Sequence, residues 1–314
     1  MKNTKLLKTL VLIALIPLSG CHNKSDIDKD SLSIVCPTGA PAIAFYNFAG
    51  KSNFQTNTDP TNIIPLMKSG SIDVAVLPTN AGVSAIQSGQ VDFKLAATIT
   101  FGNVFVASTG HDLNGVMEPG DYIVSFQQGS VPDKIFHSVY GSQFDSSIHY
   151  VGSAQLAAQA LKSGKNIGEP GQPNVDYVVL AQPALYTVLN STPGRNQYAN
   201  LQELYKQSHQ GQIIYQASIF VSNKIRREII NQFLSTIKQD VEDACTNPDL
   251  IVNGLSNDDN AEVIFGVKPE IAKAVTLNNN GMGLGYAYAK DNKTGIDTFL
   301  QELGLGETNE EIYF

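Results

Sequence analysis

The chain has 314 residues, more than one ordinary hydrophobic core accommodates, and this length predicts about two domains. Hydrophobic residues make up 42% and charged residues 16%, a composition that excludes a disordered chain and a coiled coil. The net charge of −8 disfavours a nucleic-acid-binding face, and three cysteines are too few for a disulfide framework.

The start of the chain predicts an export signal rather than part of the fold. A positive region opens it, with Lys2, Lys5 and Lys8. The apolar run over residues 10–18 is too short to span a bilayer, which needs about 20 residues. It ends in Leu18-Ser19-Gly20-Cys21, which resembles a bacterial lipobox. We expect a lipoprotein signal peptide over residues 1–20, lipidation at Cys21 and a polar tether over residues 21–30; the alternative is a plain secretory signal with an incidental cysteine.

Export would place the protein outside the cytoplasmic membrane, where ATP and reduced dinucleotides are scarce. This disfavours kinases and dehydrogenases. Cys36 falls in an apolar strand and Cys245 in a predicted helix, and both are interpreted as small buried apolar residues. The sequence does not decide whether these two cysteines form a disulfide.

The exported part of the chain alternates predicted strands and helices. The predicted strands are residues 31–36, 72–77, 93–108, 122–126, 148–151, 177–180 and 213–221, and helices predominate after Lys224. Turns rich in Gly, Pro and small polar residues follow the strands at residues 37–41, 78–80, 128–133, 152–153 and 181–183. This alternation predicts α/β sheets with parallel strands.

Two segments of the chain resemble one another. Residues 66–81 and 160–184 both run from a helix through Lys-Ser-Gly into a strand that begins with Ile/Val-Asp, and then through a polar turn into a helix. The match predicts two similar lobes, and coincidence is the alternative. Asp73 and Asp176 open the two strands, far from the strands' carboxyl ends, and are interpreted as structural.

The turns after the strands are the expected ligand site. Ligands of open α/β sheets bind beyond the carboxyl ends of the strands, where helix N-termini present unpaired N–H groups. The turns contain no Lys or Arg, and Asp133 is their one ionisable side chain. A small ligand, neutral or singly charged, is therefore expected. Ser130 and Ser153 are predicted to cap the helices that follow them.

Signatures of catalysis and metal binding are missing from the sequence. It contains no HExxH, CxxC or G-x-S-x-G, and its five histidines show no ligand spacing, so no metal and no cofactor are expected. Residues 281–285 read Gly-Met-Gly-Leu-Gly but lack the lysine of a phosphate-binding loop, and are interpreted as a flexible turn.

The order and spacing of the turns resemble the type II periplasmic binding proteins, in the branch related to aliphatic-sulfonate and pyrimidine or thiamine-precursor binding proteins. The resemblance covers the exported chain and rests on residues 37–41, 70–80, 129–132, the Gln182-Pro183 turn and the tail 310–314. Many relatives carry Glu-Pro where this chain has Gln182-Pro183. The resemblance therefore does not identify a particular ligand for this chain.

The resemblance implies an α/β fold of two lobes, each a mixed, mostly parallel sheet flanked by helices, joined by a two-strand hinge. The first lobe would comprise residues 31–107 plus 211–314, and the second residues 108–210. The chain would leave the first lobe after residues 105–108 and return near residues 210–216. A ligand that bridges the lobes would favour the closed form.

The implied function is an extracytoplasmic solute-binding lipoprotein of an ABC importer. It would be a monomer, anchored to a bacterial membrane through Cys21, that delivers its solute to an ABC permease, with no enzymatic activity and no nucleic-acid partner. The expected ligand contacts are Thr38, Gly39, Ala40, Pro41, Thr79, Asn80, Phe101, Asn103, Gln128, Gly129, Ser130, Ser153, Gln182 and Tyr215. The alternatives are an enzyme on the same fold that acts on a pyrimidine or menaquinone precursor, which the lipobox disfavours, and an adhesive lipoprotein with a vestigial cleft.

Overall fold

The computed structural model describes residues 32–111, 115–279 and 281–314. The predicted signal peptide and tether, with the predicted lipidation site Cys21, lie outside these ranges. Within them, no helix combines the length and the apolar character that crossing a membrane requires.

The described chain alternates strands and helices, as the sequence predicts. The strands are β1 (Ile34–Pro37), β2 (Phe54–Asn57), β3 (Val74–Pro78), β4 (Phe93–Phe101), β5 (Phe105–Ser108), β6 (Ile123–Phe126), β7 (Ile148–Val151), β8 (Tyr177–Leu180), β9 (Asn196–Asn200), β10 (Tyr215–Ser222) and β11 (Leu284–Tyr288). The helices are α1 (Ala40–Ile43), α2 (Ile63–Ser69), α3 (Thr79–Gln87), α4 (Val131–Tyr140), α5 (Ala154–Ser163), α6 (Ala184–Ser191), α7 (Leu201–Ser208), α8 (Arg227–Thr246), α9 (Asp249–Leu255), α10 (Ala261–Phe265), α11 (Pro269–Leu277) and α12 (Lys293–Glu302).

The strands form two sheets. The first has the order β11-β4-β10-β3-β1-β2, and the second has the order β7-β6-β8-β5-β9. In each sheet three neighbouring strands are parallel: β2, β1 and β3 in the first, and β7, β6 and β8 in the second. In the first sheet, β10 is antiparallel to these three strands and β4 runs in their direction. In the second sheet, β5 is antiparallel to its three strands and β9 runs in their direction. Both sheets are therefore mixed, with most strands in one direction, which confirms the expected fold class.

The two sheets repeat one topology, and this confirms the internal match. β3 and β8 occupy the same place in their sheets. The helices before them end at Gly70 and Gly164, whose φ angles of 70° and 69° place both in the left-handed conformation that closes a helix.

The equivalence extends to side chains. The Asp73 carboxylate accepts a 2.9 Å hydrogen bond from the Ser33 N–H just before β1, and the Asp176 carboxylate accepts a 2.8 Å bond from the Tyr122 N–H just before β6. Each aspartate thus fixes the start of the neighbouring parallel strand. The structural interpretation of both residues is confirmed.

The chain passes between the sheets earlier than expected. Residues 93–108 are not one strand, because β4 pairs in the first sheet and β5 in the second. Gly102 and Asn103 between them have φ angles of 63° and 56°, which end the first ladder. The change of sheet therefore falls at residues 102–104, and the expected boundary at residue 107 lies inside β5.

Sequence reasoning missed β2, β9 and β11, and each of these strands lies at the edge of its sheet. Edge strands bury less surface, and only Phe54 of β2 and Leu284 of β11 are fully buried within these three strands. The flexible turn expected at residues 281–285 is wrong in its second half, because Leu284 and Gly285 are the first two residues of β11.

A shared apolar core joins the two units. One cluster of buried side chains contains Leu77 and Phe299 from the first unit together with Val106 and Tyr177 from the second. The first unit has a further cluster with Phe45 at its centre, and the second unit has one of its own. Tyr205 of α7 also donates a hydrogen bond to Glu302 at the end of α12. The units are therefore packed together along the side that α12 covers.

The two cysteines of the described chain do not form a disulfide. Cys36 is buried in β1, as expected, and burial raises the pKa of its thiol. Cys245 is exposed, so its interpretation as a buried residue is wrong. It follows Ala244, the last buried residue of α8, and its thiol lies 3.6 Å from the Leu284 carbonyl oxygen.

The C-terminal tail docks onto the first unit through Asp297 of α12. This carboxylate accepts 2.6 Å hydrogen bonds from the Tyr313 hydroxyl and the Lys293 ammonium, and another from Thr308. Burial alone raises the pKa of Asp297, but these donors outweigh burial and hold the pKa below its usual value.

Replacement of Asp297 by asparagine should therefore lower the free energy of unfolding by about 1–3 kcal/mol at pH 7. The folded pKa lies below the unfolded value of about 3.9, so this stabilisation is present above the unfolded pKa and is lost as the pH falls toward the folded one. Urea unfolding at pH 7 and at pH 3 should show the difference from wild type shrinking in acid. Asp291→Asn, an exposed neighbour, is the control; an effect of Asp297→Asn that is independent of pH would contradict the assignment.

Candidate ligand-binding site

The carboxyl-terminal edges of both sheets meet where the chain crosses between the sheets, and we call the region between these edges the gap. The first crossing leaves from Phe101 at the end of β4 and enters β5 at Phe105, which pairs with Leu180 at the end of β8. The second crossing leaves after Asn200, which pairs with Phe105, and enters β10 at Tyr215, which pairs with Phe101. Both crossings thus join the same edges. The helices that follow β1, β3, β6 and β8 therefore begin at this gap.

The turn after β1 forms one wall. The Thr38 N–H donates to Asn57 at 3.1 Å, and the Gly39 N–H donates to Phe265 at 2.8 Å. Gly39 has a φ of 92°, a conformation that favours glycine. Ala40 and Pro41 then open α1, with Ala40 buried and Pro41 half-buried.

At the start of α3, two neighbouring residues differ in role. Thr79 is fully buried, and its hydroxyl lies 2.8 Å from that of Ser218, which lies 2.9 Å from that of Thr98. Thr79 therefore serves the protein's own hydrogen bonds. Asn80 is half-buried, and its side-chain oxygen is buried without a hydrogen-bond partner in the described structure. The N-cap residue of α3 is Pro78, which provides no side-chain hydrogen bond to the first turn of the helix.

Phe101 and Tyr215 lie at the two crossings. Their rings meet edge to face with centroids 5.7 Å apart. Phe101 is half-buried, whereas Tyr215 is 4% exposed, and burial raises the pKa of its phenol. Phe101 is thus the more exposed member of the pair.

Asn103 clamps the turn after β8. Its side-chain oxygen accepts a 2.6 Å bond from the Gln182 N–H, and its amide nitrogen donates a 3.1 Å bond to the Gln182 carbonyl. The Gln182 side-chain oxygen in turn accepts a 2.8 Å bond from the Tyr186 N–H in the first turn of α6. Both side chains thus bind the protein's own backbone.

The turn after β6 differs from the predicted cap. Gln128 and Gly129 are exposed. The Ser130 hydroxyl donates to the Phe126 carbonyl at 2.9 Å and does not cap α4, so the prediction of a serine cap is wrong there. The Asp133 carboxylate instead accepts a 2.7 Å bond from the Gly129 N–H.

The Asp133 carboxylate is buried and hydrogen-bonded within the protein, so it is not available to a ligand in the gap. It is 5% exposed, and its other carboxylate oxygen accepts a 2.7 Å bond from the Tyr150 hydroxyl and lies 3.2 Å from a His137 ring nitrogen. Ser153, by contrast, caps α5 as predicted, since its hydroxyl oxygen accepts a 3.2 Å bond from the Leu156 N–H.

Two side chains that sequence reasoning did not single out also lie at this edge. Gln216 follows Tyr215 on β10, and Thr100 precedes Phe101 on β4. Both carry a buried side-chain oxygen without a partner among the described residues. Each is a polar residue near one end of an apolar strand, Gln216 at the amino end of β10 and Thr100 at the carboxyl end of β4, which is the signal that could have found them.

A surface depression of about 320 Å³ lies elsewhere, at the opposite edge of the first sheet. Its lining includes Lys68, Asp92 and Lys224. Phe93 begins β4 and Ser222 ends β10 there, so the depression is a strand length away from the gap. Across the described ranges, no group of three side chains is arranged to bind a metal.

Comparison with known proteins identifies the fold. No protein-family model and no curated protein sequence matches the chain. Solved structures do match it. An ABC transporter protein from Parabacteroides distasonis is 18% identical with a TM-score of 0.70, and the match covers 90% of this chain and 98% of that one.

Two further structures agree. The ligand-binding component of an ABC-type import system from Staphylococcus aureus, solved with zinc bound, is 11% identical with a TM-score of 0.65, over 90% of this chain and 95% of that one. The periplasmic aliphatic sulphonate binding protein from Escherichia coli is 12% identical with a TM-score of 0.62, over 87% and 88%. The chain has the periplasmic binding protein fold. At these identities the likeness establishes the architecture, and the ligand has to be argued from the site itself.

Proposed function

We propose that this periplasmic binding protein fold serves as the solute-binding component of an ABC importer outside the cytoplasmic membrane. The observation that supports it most is the topology, in which both crossings join the carboxyl-terminal edges of the two sheets. Helices from both units therefore begin at the same gap. The named functions of the similar structures, which are transporter and import components, agree with this proposal.

In this proposal the first lobe contains β1–β4, β10 and β11, and the second contains β5–β9. A solute held in the gap touches both lobes and stabilises the closed form, which then docks on a permease. The shift between open and closed forms is limited by the solute's difference in affinity for the two.

The solute is proposed to be small and either neutral or singly charged. The turns at the gap supply no Lys or Arg, and Asp133 has its own donors. The proposed contacts are the side chains of Thr38, Asn80, Phe101 and Gln128, because the backbone N–H groups of Thr38, Gly39 and Gly129 donate within the protein. The predicted lipidation at Cys21 belongs to the same proposal and would tether a monomer to the membrane.

Native mass spectrometry of freshly purified protein tests the proposal. We expect a small molecule to be retained, and Asn80→Ala to reduce its occupancy about tenfold, because the variant loses polar contact at the gap without disturbing an internal hydrogen bond. Asn231→Ala, an exposed position on α8, is the control. The retained compound should also remain chemically unchanged over time, since conversion would indicate an enzyme. Protein that retains no small molecule and binds none in calorimetry would contradict the proposal.

A further inference from the structure

Two side chains of the second lobe donate hydrogen bonds to the carboxyl-terminal end of α12 in the first lobe. The Lys134 ammonium on α4 donates to the Leu303 carbonyl, and the Tyr205 hydroxyl on α7 donates to Glu302. Leu303 is the residue at the end of α12 and is 4% exposed, so its carbonyl oxygen requires a partner within the protein. The second lobe supplies that partner.

Lys134 also supplies a charge that the end of α12 lacks. The last turn of α12 contains no basic residue. The carboxyl end of a helix carries a partial negative charge, which a cation beside the last turn stabilises. Lys134 is half-buried, so salt screens this attraction less than it would at an exposed position. A helix of one lobe is therefore capped by a side chain of the other.

The two helices that contact α12 are also bonded to each other. Ser138 lies one helical turn after Lys134 on α4. His209 lies one turn after Tyr205 at the end of α7, and its N–H donates to the Tyr205 carbonyl at 2.9 Å. The Ser138 hydroxyl lies 2.9 Å from the His209 Nε2 atom, and the His209 ring stacks on the Tyr205 ring with centroids 4.2 Å apart. Helices α4 and α7 therefore meet the end of α12 as one unit.

The first turn of α4 connects Lys134 to the gap. The Lys134 N–H donates a 3.0 Å bond to the Ser130 carbonyl, and the neighbouring Asp133 carboxylate accepts a 2.7 Å bond from the Gly129 N–H. Gln128, one of the proposed ligand contacts, directly precedes Gly129. A displacement of Lys134 relative to α12 would therefore displace this turn relative to the first lobe.

We propose that Lys134 is a positioning residue for solute binding, which fixes α4 and the turn before it to the first lobe through the end of α12. Leu303 belongs to the apolar core that the two lobes share, so the contact lies beside the part of the molecule that holds the lobes together. Lys134 acts through the position of Gln128 rather than by contact with the solute. The inference rests on the proposed function for the role of Gln128 and goes beyond it in assigning Lys134.

Double electron–electron resonance on the purified protein tests the inference by measuring the distance between the lobes. A ketone-bearing amino acid in place of Asn62 and of Gln155, which are both exposed, carries the spin labels and leaves the cysteines unlabelled. Asn62 lies beyond the carboxyl end of β2 in the first lobe, and Gln155 lies beyond that of β7 in the second.

Lys134→Met keeps a long side chain and removes the ammonium. We expect it to shift or broaden the distance distribution by more than about 2 Å relative to wild type. Lys134→Arg retains a cationic donor and should lie closer to wild type than Lys134→Met does. Lys162→Met makes the same chemical change at an exposed lysine on α5 and should leave the distribution unchanged.

A wild-type distance distribution in folded Lys134→Met would overturn the inference, because a contact that only adds stability leaves the distance between folded lobes unchanged. If Lys134→Met does not fold, Tyr205→Phe decides, since it removes only the hydroxyl that donates to Glu302. A wild-type distribution in that variant would likewise overturn the inference.

The outcome is independent of the test of the proposed function. An unchanged distance with a small molecule retained in native mass spectrometry rejects the role of Lys134 and leaves the solute-binding role standing. A changed distance in protein that retains and binds no small molecule rejects the solute-binding role, and supports the attachment of α4 to the first lobe through Lys134.

Discussion

Asn103→Ala should lower the free energy of unfolding by about 3–4 kcal/mol. The Asn103 amide makes two hydrogen bonds to the backbone of Gln182, at 2.6 Å and 3.1 Å, and both residues are buried. Alanine leaves the Gln182 N–H and carbonyl without these partners. Asn103 also has a φ of 56°, which asparagine tolerates better than alanine does. Urea unfolding curves give the loss directly.

Asn103→Gly is the matched variant for this experiment. It removes the same amide but accepts the positive φ without strain, so it should cost about 1 kcal/mol less than alanine. Two variants that both cost under about 1 kcal/mol would show that the Gln182 turn does not depend on the clamp. Because Gln182 caps α6, a loosened turn should also weaken solute binding in calorimetry.

Gly283→Ala should be at least as damaging, with an expected loss of about 3–5 kcal/mol. A Cβ atom on Gly283 would lie 2.1 Å from the Phe101 carbonyl oxygen, which is backbone and cannot move aside, and Gly283 has a φ of 65°. The Gly283 carbonyl also accepts a 2.7 Å bond from the Phe101 N–H, so the close approach is part of the sheet.

The control for this variant is Gly306→Ala, which places its Cβ in open space with no positive φ and should stay within about 0.5 kcal/mol of wild type. Thermal or urea unfolding distinguishes the two variants. An unfolding free energy for Gly283→Ala equal to that of Gly306→Ala would mean that β11 shifts to accommodate the methyl group.

The parts of the fold that depend on local chemistry could be predicted from sequence. The Lys-Ser-Gly segments end helices because Gly70 and Gly164 take the left-handed conformation, and the aspartates that follow fix strand starts. The turns after the strands were found for the same reason. The edge strands were not found, because β2, β9 and β11 bury few side chains and resemble loops in sequence.

The candidate site was harder to predict, because side-chain partners come from distant parts of the chain. Thr79 is a polar residue at the right turn, yet its hydroxyl pairs with that of Ser218, 139 residues away in sequence. Asn103 likewise pairs with Gln182, 79 residues away. Gln216 was missed because its position at the carboxyl edge of the sheet depends on the antiparallel pairing of β10 with β3 and β4, which composition does not reveal.

The shared core described above limits how this protein can move. Leu77 and Phe299 from one unit and Val106 and Tyr177 from the other belong to a single cluster of buried apolar side chains. Separating the two units completely would expose these apolar side chains to water, whereas a rotation about the shared core would keep them buried. We therefore expect the two units to open by rotation about this shared core, so that the carboxyl-terminal edges of the sheets separate while the core stays packed.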